Sequence, residues 1–159
     1  MIYIIIFISL ILDGIISNIS SILIPLFTLL SLIIIKPYYK INKNYLILSF
    51  ILGILYDIAY TDLLYINAIL FLLTGYFIIF ITKRLRDNIF NVTIISILTI
   101  IYYRTLSYLT YIISTKDIFN INILFKSIYS SIIINILYII ICYIITSKTS
   151  KKTYRKYNI

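Results

Sequence analysis

IYIIIFISLILDGIISNISSILIPLFTLLSLIII, residues 2–35, carries a single charge, Asp13, and its reading decides the fold class. As one helix it would measure roughly 50 Å at about 1.5 Å per residue, whereas the hydrocarbon of a bilayer is about 30 Å thick. It is therefore expected to fold back once, at the polar cluster Ser17-Asn18-Ile19-Ser20-Ser21. Two membrane spans follow, over 2–17 and 20–35.

The pattern continues outward from this stretch. Pro37, just past the last apolar residue, is a helix stop, and it sits in a basic loop with Lys36, Lys40 and Lys43. Further spans are expected over 45–60, 63–82, 89–113 and 121–146, with a second basic loop at Lys83, Arg84 and Arg86 and a polar, basic tail over 147–159. These two loops and the tail hold eleven of the 14 basic residues, whereas the opposite connections hold Lys116 beside Asp62 and Asp117. Lysine and arginine collect on the cytoplasmic side of membrane proteins, which places both termini inside and requires an even number of spans. The expected fold is all-α: a polytopic transmembrane bundle of six helices over 1–146, in three antiparallel hairpins, N-in and C-in, with no internal repeat.

Composition agrees and also excludes. The 159 residues are 62% hydrophobic and 12% charged, against roughly 25% charged in an ordinary soluble domain. Histidine, glutamate and tryptophan are absent and Cys142 is the one cysteine, so a Cys/His metal cluster, a Ser-His-Asp triad, a Cys-His pair and an intramolecular disulfide are all ruled out. No catalytic, cofactor or metal site is expected. The net charge of +9 is spread between apolar runs rather than gathered on one polar face, which argues for anionic membrane lipids and against nucleic acid. Tyr and Phe are expected largely in interfacial belts.

A charge away from the headgroups costs at least about 2.5–3.5 kcal/mol on insertion scales, so each one inside a span marks a functional position. Asp13, Asp57, Arg104 and Lys126 qualify, all in the outer half of the membrane by the orientation above. Asp57 and Arg104 fall at similar depth and are expected to pair, locking spans three and five together. The alternative is that the carboxylates cap turns and the cations snorkel outward. Gly53 and Gly75 lie inside spans three and four, where a missing side chain permits close helix approach.

The segment around Gly53 carries more. Gly53, Leu55, Tyr56, Asp57, Tyr60, Thr61, Leu63 and Leu64 form a Gly-x-Leu-Tyr-Asp step followed by Tyr-Thr and a leucine pair, with Gly75-Tyr76 late in the next span. This pattern resembles the MreD family of rod shape-determining proteins. The chain departs from it at Tyr65-Ile66-Asn67, where a glycine commonly follows the leucine pair, and in the short connection between spans one and two. Outside Leu48 to Tyr76 the likeness is one of hydropathy.

The resemblance implies a non-enzymatic scaffold of the elongation machinery (the elongasome) that builds lateral peptidoglycan and maintains cell shape, in the bacterial cytoplasmic membrane. Its implied partners are the bitopic protein MreC and, through it, the actin homologue MreB, the glycosyltransferase RodA and a class B penicillin-binding protein. The implied structural and interaction residues are Gly53, Tyr56, Asp57, Tyr60, Thr61, Leu64 and Gly75, with Arg104 added from its cost in the membrane. A second expectation is the substrate-binding membrane subunit of an energy-coupling-factor vitamin transporter, also a six-span bundle; no extended polar loop is present to close a ligand pocket.

Overall fold

The computed structural model describes residues 2–19, 24–61, 65–85, 88–116 and 119–156, with side chains from 3 to 147. Among the described residues the chain forms six α-helices: α1 (Ile2–Ile19), α2 (Phe27–Ile35), α3 (Asn42–Tyr60), α4 (Ile66–Thr82), α5 (Ile89–Thr115) and α6 (Ile121–Lys156). A 3-10 turn over Lys36–Tyr38 continues α2, with Pro37 inside it. The apolar runs become helices because no backbone group inside them has water or a neighbouring strand to bond to, and a helix satisfies its own.

The hairpins expected from the loops are present. α3 packs most extensively on α4, α5 on α6 and α1 on α2. α2 also touches α3, α4, α5 and α6, which makes it the centre of the bundle. All nine of its residues are buried. A helix surrounded on every side can be apolar all round, which is how FTLLSLIII reads.

Large apolar side chains cover the outside of the molecule, and several polar side chains of the helices are turned inward among the apolar core. Ile4, Phe7, Ile58, Phe80, Phe125 and Leu137 are exposed, whereas Ser9, Asp13, Asp57, Thr74, Ser96 and Asn135 are buried. Buried hydroxyls are satisfied inside their own helices: Ser49 donates to Tyr45 O, Thr74 to Leu70 O, Ser96 to Val92 O and Thr99 to Ile95 O, at 2.7–2.9 Å. An apolar exterior of this extent suits hydrocarbon rather than water. The stretches Asn42–Tyr60, Ile89–Thr115 and Ile121–Ser147 are each long and apolar enough to cross a bilayer; the other helices are shorter.

Several helix boundaries differ from the sequence reading: α1 and α5 end two residues later than expected, α3 starts three residues earlier, and three further differences have consequences. The second apolar segment, expected as helix from 20, is helical only from Phe27, and residues 24–26 are not helical. Pro25 accounts for this, because its ring would clash with the carbonyl four residues earlier and it has no N–H to give. α2 is therefore only about 13 Å long, less than half the hydrocarbon thickness. α4 begins at Ile66 instead of 63, after Tyr65 in the left-handed region (φ 76°, ψ −8°). α6 runs past 146 to Lys156, since no glycine or proline between them stops it.

Candidate functional site: carboxylates that hold helix ends

The first residues of any helix have N–H groups with no partner in the helix, and a helix beginning inside an apolar bundle must find acceptors elsewhere. α2 and α4 both begin without a side-chain cap from the residue preceding them. In both, an aspartate on the previous helix supplies the acceptor.

Gly53 and Asp57 are one turn apart and share a face of α3. A Cβ on Gly53 would stand 2.4 Å from Ala68 Cα and 2.6 Å from the Asn67 carbonyl, so the start of α4 rests directly on the bare glycine backbone. That approach brings the Asn67 and Ala68 N–H groups to the Asp57 carboxylate, each at 3.3 Å. The Asn67 side-chain amide donates to it at 2.8 Å and the Thr61 hydroxyl at 2.9 Å. Asp57 is fully buried. The carboxylate sits at the start of α4, where the helix dipole presents its positive end. Asn67 in turn accepts from the Tyr103 hydroxyl at 2.6 Å, extending the network to α5.

Asp13 plays the same part for α2. Its two carboxylate oxygens accept from the Phe27 and Thr28 N–H groups, both at 2.8 Å. The non-helical residues before α2 are held from α6: Leu26 N–H donates to Asn135 Oδ1 at 2.7 Å, and Asn135 Nδ2 donates to Ile24 O at 3.1 Å and to Ser131 O at 2.6 Å. Irregular backbone within an apolar bundle is tolerated where protein groups satisfy it, as here. Ser9 and Tyr138 share a hydrogen bond that ties α1 to α6.

The expected Asp57–Arg104 pair is not formed. Asp57 is occupied at α4, while Arg104 Nε donates to Ser131 Oγ on α6 at 2.8 Å. One guanidinium nitrogen of Arg104 is buried without a partner. Lys126 is exposed on α6.

The remaining residues singled out from sequence fall into two places. The Tyr56 ring packs against Tyr60 and Phe71, with centroids 5.0 and 5.5 Å away, and Tyr60 donates to the Leu10 carbonyl while its ring covers Gly14, so these two join α3 to α1 and α4. Gly75 receives Ser49 of α3 at the other end of the hairpin, where a Cβ would stand 2.7 Å from the serine oxygen. Leu64 lies outside the described residues. Sequence reasoning missed Asn67, Tyr103, Ser131 and Asn135. A polar amide at 135 inside an otherwise apolar run was the available signal.

Taken together, these features define a helical membrane protein whose buried carboxylates hold helix ends in place. Among the described residues no three His, Cys, Asp or Glu side chains gather where they could hold a metal. Residues 1–148 match the family model of the rod shape-determining protein MreD, and the chain belongs to that family. Its role is in rod shape determination, and the family is not one of known enzymes. Searches among curated proteins and among solved structures found no match.

Proposed function

We propose that this chain is a non-enzymatic scaffold subunit of the cell-wall elongation complex, working through helix-face contacts with an MreC-like bitopic protein in the bacterial cytoplasmic membrane. Through that partner it acts with MreB, RodA and a class B penicillin-binding protein. All six helices span or enter the bilayer, with both ends and the basic loops in the cytoplasm and 147–159 as a basic cytoplasmic tail. The observation that carries this reading, beside family membership, is that both buried carboxylates are fully used in holding helix ends. What the bundle offers a partner is then its apolar outer surface, where α1 exposes Tyr3, Phe7 and Ile11 and α6 exposes Tyr129, Ile133 and Leu137. Gly53, Tyr56, Asp57, Tyr60, Thr61, Gly75 and Arg104 act as the internal pins that keep those faces in register.

Two measurements test this. Accessibility tags on the first and last residues should both report the cytoplasm; tags on opposite sides would end the six-span layout. Co-expression with an MreC-like bitopic protein should give a complex that survives detergent extraction and weakens when α1 and α6 outer residues such as Phe7 and Ile133 are replaced by bulkier Trp. Saturable vitamin binding by the purified chain, with no such complex, would favour the transporter subunit instead.

A further inference from the structure

At the end of the bundle where the basic loops lie, the close of α2 and α4 and the beginnings of α3 and α5 line a half-open cavity of about 340 Å³. That is within the range of small-molecule sites, roughly 300–1,000 Å³. Its inner wall is apolar, including Ile33 and Val92, and its rim carries Lys36, Lys83, Thr82 and Asn42. No described residue lining it is acidic. Two ammonium groups thus share one cavity. Lys36 makes a single long hydrogen bond, 3.5 Å to Tyr39 O, and lies 5.6 Å from the centre of the Tyr45 ring. Burial, and after it the charge of Lys83, holds the Lys36 ammonium below the usual lysine range. Two like charges kept together over an apolar wall call for an anion that has an apolar part. The Thr82 hydroxyl already donates to Ile78 O at 2.8 Å, which leaves its lone pairs to accept from a ligand hydroxyl.

We propose that this cavity binds the phosphate headgroup of an acidic phospholipid, with Lys36 and Lys83 on the phosphate, Thr82 and Asn42 at the headgroup hydroxyls, and an acyl chain against the apolar wall. The site lies where helices end and basic loops begin, the level at which headgroups sit, and basic pockets between helices on the cytoplasmic side are of the kind that retain anionic lipids. A soluble phosphate would have no use for the apolar wall. The assignment rests on the membrane reading of the basic face and not on any partner.

The test is native mass spectrometry of the full-length chain in mild detergent, titrated with dioleoylphosphatidylglycerol or with dioleoylphosphatidylcholine. The wild type should take up phosphatidylglycerol preferentially. K36Q/K83Q should bind it about thirtyfold more weakly and lose the preference, since each basic residue in contact with the headgroup contributes on the order of a fivefold effect. K36R/K83R should keep it, and K83Q alone, at an exposed position, should lose about fivefold. K40Q/K43Q removes the same charge from the same face outside the cavity and should change binding less than about threefold. Equal losses in K40Q/K43Q and K36Q/K83Q, or no loss in K36Q/K83Q, would overturn the site. Complete displacement of the lipid by millimolar inorganic phosphate would overturn the lipid assignment in favour of a soluble ion.

Discussion

A methyl group at Gly53 tests the central claim, that a bare backbone on α3 is what delivers the start of α4 to Asp57. The Cβ of Gly53→Ala would stand 2.4 Å from Ala68 Cα, so α4 must retreat by about 1 Å to reach ordinary contact at roughly 3.5 Å. The bonds from the Asn67 and Ala68 amides to Asp57, already 3.3 Å, then pass beyond hydrogen-bond range. Overpacking costs about 1–3 kcal/mol and loss of a helix cap about 1 kcal/mol, so Gly53→Ala should destabilise by about 2–4 kcal/mol. Asp57→Ala should cost about 3 kcal/mol by leaving the Thr61 hydroxyl, the Asn67 amide and the first N–H groups of α4 without their shared acceptor. Because the first change already withdraws the amides, the two losses should not add. The double variant should fall short of the sum by about 1–2 kcal/mol. Reversible unfolding in mixed detergent micelles, followed by far-UV circular dichroism, measures all four corners of the cycle. Losses that add within about 0.5 kcal/mol would show that Gly53 and Asp57 act independently and would refute the reasoning.

The other predictions concern neighbouring elements. Tyr65→Gly should stabilise by about 0.5–1 kcal/mol in the same assay, because a tyrosine at φ 76° carries a left-handed penalty that glycine does not. Tyr103→Phe should cost about 1–1.5 kcal/mol by removing the donor to Asn67 Oδ1, and Asn67→Ala in that background should add less than it does alone. Asn135→Leu should cost about 2–3 kcal/mol, since Leu26 N–H and Ile24 O lose their partner, and should raise the protease sensitivity of the segment before α2. Lys83→Gln removes a like charge from beside Lys36, so the midpoint of Lys36 acylation against pH should move upward; an unchanged midpoint would mean the two side chains do not share a cavity.

The sequence alone determined the class of fold, the order of the helices and their pairing in hairpins, because those depend on local quantities: the length of each apolar run, the breaks between runs and the side on which lysine and arginine collect. It also marked Asp13, Asp57 and Arg104 as costly, and Gly53 as a place where a helix can come close. The partners of those charges were decided only in three dimensions. Asp57 and Arg104, which the sequence reading put at similar depth, face different neighbours: one meets the start of α4 and the other meets Ser131. Asn135 bonds to Leu26, 109 residues away in the chain, and no spacing rule connects them. Pro25 cannot continue a helix, yet that α2 begins two residues later depends on Asp13 and Asn135 arriving from α1 and α6 to take up the free backbone groups. Hydropathy is summed along the chain, whereas an unpaired N–H is satisfied across it, so the helices were legible in the sequence and the acceptors for their ends were not.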